Sequence, residues 1–241
     1  LVATMHHIAS DGWSLAPFAR DLGTAYAARV AGTEPAWLPL PVDYADFTLW
    51  QREQLGDAED PSSELAQQLA FWRMALAGAP DEISLPRNRA RSVDDGTVRQ
   101  AVGAVELTLD PARHAELRRF AGDHRTSLFI VLHAAVVAVL QQHGAGEDVV
   151  IGTPVAGRTD AQLDDLVGFF VNTVALRTSL DGDPSVEDLL ERIRSGNSAA
   201  YAHQDVPFDA VVDAVRPPRS VGRHPVFQVM LTLQNTRPAS L

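Results

Sequence analysis

The sequence predicts an α/β (α+β layered) fold, and three observations predict it. Segments of helical periodicity are interspersed with short apolar or alternating runs, the pattern of helices laid on sheets. Hydrophobic residues make up 46% and charged residues 21% of the 241 residues, an ordinary balance for a chain that builds its own core. That length suits one large domain or two small ones, and no internal repeat or low-complexity tract interrupts it.

The elements follow in order. Residues 1–5 are apolar and read as a short buried strand, and residues 8–13 as a turn. Ser14 stands as an N-cap before Leu15, Phe18, Leu22, Tyr26 and Val30 at helical spacing, and Gly32 ends that helix. A link with Pro35, Pro39 and Pro41 leads to a helix over 43–55 with Phe47 and Trp50. A further helix over 64–77 carries Phe71 and Trp72. Residues 79–103 are polar and irregular, with Arg87, Arg89 and Arg91, and read as a linker between two lobes, 1–90 and 91–241. Alternation predicts a strand over 104–109. Helices are predicted over 111–123 and over 127–143, the second buried and stopped by Gly144. Buried strands are predicted over 148–153 and 169–178. Ser185 and Asp188 resemble a capping box ahead of Leu189, Leu190 and Ile193. Pro207 suits the first position of a helix reaching Val215, and residues 226–234 alternate as a strand.

Charge and composition exclude several classes. A formal net charge of -11 argues against nonspecific nucleic-acid binding and gives no sign of an anionic-membrane partner. Without cysteine there is no disulfide, no thiolate nucleophile and no cysteine metal site. No apolar run reaches transmembrane length, no signal peptide is recognisable, and a cytoplasmic location is expected. No GxxxxGK[ST] loop is present, so no P-loop nucleotide site is expected. Leu1 is not an initiator Met and opens in what reads as mid-strand; the chain is expected to be a fragment with something missing upstream.

The segment Met5-His-His-Ile-Ala-Ser-Asp-Gly-Trp-Ser14 concentrates the chemistry. Three readings compete. The histidines could satisfy backbone groups at a strand end. His7 and Asp11 could ligate a metal with a third group from elsewhere, although His6 and His7 would point to opposite faces of a strand. Or one imidazole could act as general acid–base, with Asp11 folding back to hold the loop and Gly12 leaving room for a narrow substrate arm. Ser14 could be a nucleophile, but capping suffices to explain it.

This segment resembles the HHxxxDG motif of condensation domains in nonribosomal peptide synthetases, members of the chloramphenicol acetyltransferase-like superfamily. Four more stretches resemble that family's motifs, in its order: Val42 to Trp50 (VDYADFTLW), Val167 to Arg177 (VGFFVNTVALR), His203 to Phe208 (HQDVPF), and Arg223 to Met230 (RHPVFQVM) closed by Leu233-Gln-Asn235. The resemblance implies two similar lobes forming a V. The chain would hold the tail of the N-terminal lobe and a C-terminal lobe with a mixed sheet and flanking helices. It implies amide formation between a donor acyl or peptidyl thioester and an acceptor aminoacyl thioester. Both would ride on the phosphopantetheine of carrier domains, with no cofactor or metal held by this chain. Donor and acceptor carriers, a neighbouring adenylation domain and the missing N-terminal lobe are the implied partners. A free-standing CoA-dependent acyltransferase and a catalytically silent carrier-binding scaffold are the alternatives.

By the same resemblance His7 is the catalytic or positioning histidine, with His6 beside it. Asp11 pairs structurally with an arginine expected in the missing lobe, which predicts a strained or disordered Asp11 loop here. Gly12 lies by the pantetheine arms, and Trp13, Ser14 and Asn172 line the substrate site. For Asn172 a strand-end cap is an equal alternative. Trp13, Phe47, Trp50 and Phe170 read as core. Two basic clusters, Arg87/Arg89/Arg91 and Arg216/Arg219/Arg223 with His224, could dock acidic carriers, or be solvated loop charges.

Overall fold

The computed structural model describes residues 2–86, 103–218 and 223–234. Helix α1 (Leu15–Val30) comes first, then α2 (Tyr44–Leu55), α3 (Glu64–Ala75), α4 (Pro111–Asp123) and α5 (Leu128–Gln142). Strand β1 (Asp148–Val155) and strand β2 (Asn172–Ser179) follow, and α6 (Val186–Tyr201) and α7 (Phe208–Val215) close the order. Most helices start where short side chains cap them. Ser63, Asp110, Ser127 and Ser185 each accept a hydrogen bond from an amide in the first turn. Asp43 and Asp46 form a complete capping box, each accepting from the other's backbone N–H. The sequence reading missed that box. At Ser185 only half of it forms: its hydroxyl accepts from Asp188 N at 3.1 Å.

β1 and β2 pair antiparallel, Asp148 opposite Ser179 through Val155 opposite Asn172. On β1's other side Gly152 donates to Val229 O and accepts from Leu231 N, both at 2.9 Å, a parallel bridge. The sheet itself is this one antiparallel pair, and of the mixed sheet expected for the lobe only a single parallel bridge is present among the described residues. Val149, Val150 and Ile151 are consecutive and all buried, so both faces of the sheet are covered. Side chains alternate across β2. On one face Thr178 meets His133 of α5. On the other Arg177 reaches the carbonyls of Ala75 and Ala77 at the end of α3 and holds Asp148 in a bidentate pair. Leu69, Trp72, Leu76 and Ile83 belong to the same apolar core as β1, β2, α5 and α6, so packing runs continuously from α3 into the sheet.

Three expected strands do not form. Residues 2–6 and 103–110 have no strand pairing, and Val2, Val105 and Leu107 are 93%, 98% and 85% exposed. Alternation gives a strand two good faces, but a strand also needs a neighbour for its N–H and C=O groups, and none lies beside these segments among the described residues. In 226–234 only Met230 bridges, though Phe227 is buried as the alternation predicts. Phe227 lies where a side chain on Gly152 would have to go, at 2.3 Å from the position of a Cβ. Trp50, expected in the core, is 46% exposed, whereas Phe47 and Phe170 are buried and Trp13 is half-buried. Leu1, Asn235 and the cluster Arg87, Arg89 and Arg91 lie outside the described residues.

Candidate active site

The histidines sit on a single 3₁₀ turn, His7–Ala9, ahead of α1. Both are exposed, yet they make opposite hydrogen bonds. Ile8 N donates to His6 Nδ1 at 3.1 Å, so that nitrogen carries a lone pair, and His6 serves as the N-cap of the turn. His7 Nδ1 lies 2.6 Å from Ser10 O. A carbonyl oxygen only accepts, so His7 Nδ1 carries a proton, and in the neutral imidazole the lone pair is then on Nε2. The ring of His7 stands edge-on to Phe169, centroids 5.2 Å apart at 86°.

Asp11 points the other way, into the protein, and is buried with Ser14. Its Oδ1 accepts from Ser14 N at 3.0 Å and lies 2.9 Å from the Ser14 hydroxyl, and its Oδ2 accepts from Phe170 N at 3.0 Å. Arg158 Nη2 completes the set, 3.4 Å from Asp11 Oδ1 and 3.2 Å from Ser14 Oγ. The expected strain of the Asp11 loop is therefore absent. The chain supplies its own arginine, in the loop after β1, and every oxygen of the carboxylate is satisfied. Burial alone would raise the Asp11 pKa. The hydrogen bonds from Phe170 N and Ser14 Oγ, the charge of Arg158 and the Ser14 N–H outweigh it and hold Asp11 below the usual carboxylate value. Asp11 is thus a fastened anion turned inward, while His7 faces outward.

Ser14 is the N-cap residue of α1, but its side chain caps nothing. Its hydroxyl lies 2.9 Å from Gly168 O and accepts from Gly168 N at 3.1 Å. The expected capping role is corrected: Ser14 ties the histidine loop to residues 168–170. Arg158 also donates to Leu163 O and lies over the Phe170 ring at 4.1 Å. It is brought there by Gly157, which has a φ of +64°; a Cβ at Gly157 would lie 1.9 Å from Phe170 O. From the other side Tyr44 donates its phenol to Phe169 O at 2.7 Å. Burial, and next the charge of Asp11, raise the Tyr44 pKa and keep this donor protonated.

Gly12 is exposed, and a Cβ there would meet nothing within 4 Å. Trp13 is half-buried beside it. Asn172, first residue of β2, donates to Gln204 O and Val206 O at 2.7 and 2.8 Å, and accepts from Thr173 N and Phe208 N at 2.9 and 3.1 Å. Its amide is committed to clamping the 204–208 segment. It borders a cavity of about 370 Å³ that Phe47, Trp50, Phe170 and Asp205 also line. Phe169 therefore reaches His7 while Phe170, one residue on, walls this cavity. Of the second basic cluster, Arg223 pairs with Glu82 at 2.7 Å and His224 stacks on Phe227 at 4.1 Å. Arg219 lies outside the described residues.

Sequence reasoning missed Arg158, Tyr44 and Phe169. A buried carboxylate calls for a cation, but nothing local says that the cation stands 147 residues away. No single helix among the described residues is long and apolar enough to cross a membrane.

Residues 1–239 match the condensation domain family. The synthetase CymA of Salinispora arenicola is 52% identical over 240 residues, which is 100% of this chain and 3% of that protein. A dimodular nonribosomal peptide synthase of Bacillus subtilis is 48% identical over 244 residues, again 100% of this chain and 10% of that protein. Among solved structures, the X-domain from teicoplanin biosynthesis superposes with a TM-score of 0.83 at 34% identity, covering 94% of this chain and 50% of that one. A four-domain nonribosomal peptide synthetase superposes with a TM-score of 0.80 at 26% identity, over 97% of this chain and 17% of that one. The chain thus spans a small part of the synthetases and about half of the X-domain chain. With its motifs in order and its fold matched, the chain belongs to the condensation domain family of nonribosomal peptide synthetases.

Proposed function

We propose that this chain contributes the histidine-bearing part of a condensation domain that forms an amide from two carrier-bound thioesters. The amine of the acceptor aminoacyl thioester attacks the carbonyl carbon of the donor acyl or peptidyl thioester. The tetrahedral oxyanion collapses, the C–S bond breaks, and the donor's phosphopantetheine thiol leaves. The amine gives up its proton and the departing sulfur gains one. His7 Nε2 accepts the hydrogen bond of the attacking amine and takes its proton. A well-placed base of this kind contributes about 10²–10⁴-fold. Positioning the two arms supplies much of the rest, because a thioester is already activated.

The observation that carries this reading is the split between the histidines. His7 commits Nδ1 to Ser10 O and leaves Nε2 without a hydrogen-bond partner among the described residues, on an exposed ring, whereas His6 spends Nδ1 on its own turn. Gly12, open where a side chain would stand, leaves passage for a pantetheine arm. Asp11, Ser14 and Arg158 are structural and hold the loop. Trp13 borders the path of the arms. Asn172 acts indirectly, by shaping the cavity wall.

The donor and acceptor carriers, an adenylation domain and an N-terminal lobe are the partners in this reading. An X-domain, 34% identical, was solved in complex with OxyB, which keeps a binding-scaffold role as the second reading. The test uses the chain within a two-lobe domain, supplied with two loaded carriers. Carrier-bound product is weighed for wild type and for His7→Ala. Product from wild type and a loss of about 10²-fold or more in the variant is expected. Equal product from both would remove His7 from the chemistry. Transfer from acyl-CoA without carriers would point to the acyltransferase. No product, with carrier binding intact, would favour the scaffold.

A further inference from the structure

Besides its hydrogen bond to Ser10 O, the His7 ring meets the ring of Phe169, and Phe169 is firmly held. Phe169 is 39% exposed, so it is no part of the core. Yet the peptide groups around it are fastened on both sides. Gly168 N and O are bound by Ser14, Phe170 N is bound by Asp11, and Phe169 O accepts the phenol of Tyr44 at 2.7 Å. Tyr44 also lies over Gly168, where a Cβ would come within 2.5 Å of its ring. Its ring meets Phe170 at 5.1 Å, T-shaped. A backbone pinned this way fixes where the Phe169 ring stands, and that ring stands perpendicular to His7.

We propose that Phe169 is a positioning residue for His7 and that Tyr44, through the Phe169 carbonyl, sets Phe169. The Nδ1–H bond to Ser10 O fixes the direction of the imidazole's Nδ1, but an exposed ring can still swing about that bond. The perpendicular Phe169 ring blocks the swing on one side and keeps Nε2 aimed at a constant point. The proposal rests on the reading of His7 as the acting group, and its first test does not need that reading to hold.

The first measurement is ¹⁵N and ¹H NMR of the histidine rings in the 241-residue chain, for wild type, Phe169→Leu, Phe169→Tyr and Tyr44→Phe. In wild type His7 is expected in the Nδ1–H form, with ring protons displaced by the Phe169 ring current. Phe169→Leu should abolish that displacement and let the Nδ1–H form mix with the other tautomer. Phe169→Tyr, which keeps the ring, should restore the wild-type signals. Tyr44→Phe, which keeps its ring and loses only the hydroxyl, should reduce the displacement. His6, bound within its own turn, is the internal control: its signals should stay still, whereas general loosening of the loop would move both. His7 signals unchanged in Phe169→Leu would overturn the proposal. Unchanged signals in Tyr44→Phe alone would remove Tyr44 from it. Within the two-lobe domain, Phe169→Leu should lower kcat for amide formation roughly tenfold with little change in KM, because a misplaced group costs rate rather than binding. An altered NMR signature with unchanged kcat would show that the ring is positioned but that His7 does not act as proposed.

Discussion

At the scale of single residues, the site is a division between two exposed imidazoles, with Nδ1 of each differently engaged, and one buried carboxylate. Ser14 is the joint between them and residues 168–170. Ser14→Ala leaves a buried Asp11 oxygen, Gly168 and Arg158 short of a partner, and should cost about 1–3 kcal/mol in a denaturant titration. Ser14→Thr, which keeps the hydroxyl, should recover part of that. Arg158→Met removes the cation from a pair whose side chains are 3% and 0% exposed and should cost about 3 kcal/mol. A loss below about 0.5 kcal/mol in either Ser14→Ala or Arg158→Met would contradict the account of a fastened anion. The candidate histidines were legible in the sequence because adjacent residues and a short turn create them. Arg158 and Tyr44 were not, because their partners stand more than a hundred residues away and only the fold brings them together.

At the scale of elements, the helices were legible and the strands less so, for a physical reason. A helix closes its hydrogen bonds within itself, so Ser127 followed by Leu128, Val131 and Ala134 is enough to define α5. Residues 104–109 alternate just as well, yet they form no strand, because a ladder needs a second chain segment. The two buried strands were found by their unbroken apolar runs, and their ends shifted: β2 starts at Asn172, since 168–170 are tied to Ser14, Asp11 and Tyr44 instead of to β1. The connection between β1 and β2 depends on Gly157. Gly157→Ala places a Cβ 1.9 Å from Phe170 O at a φ of +64°, so it should cost more than about 2 kcal/mol and loosen Arg158 from Asp11. Thermal unfolding of that variant checks the first part, and NMR of the Arg158 guanidinium the second.

At the scale of the whole molecule, two features govern how the chain behaves in solution. His133 is fully buried under β2, between Asn197 and Thr178. Burial lowers its pKa from 6.5 to about 4, against a hydrogen bond with Asn197 that raises it. Between those values the unfolded chain takes up a proton that the folded chain refuses, so stability rises with pH. The contribution is fully present above the unfolded value and is lost as pH falls toward 4, up to about 3 kcal/mol in all. Denaturant titrations at several pH values should show this slope in wild type and a shallower one in His133→Gln. Equal slopes would remove His133 as the cause. The second feature is the exposed apolar side chains, among them Val2, Ile8, Tyr26, Val30, Val105 and Leu107. The isolated chain should therefore self-associate with concentration, read by sedimentation, despite its net charge of -11.

The most direct test of the central claim compares the two histidines in one reaction. Single-turnover amide formation between loaded carriers is followed for His7→Ala and for His6→Asn, whose amide oxygen can still accept from Ile8 N. Loss of about 10²-fold or more in His7→Ala with near wild-type turnover in His6→Asn is the predicted result. Equal losses in both, or none in His7→Ala, would contradict the assignment of His7 as the group that meets the amine.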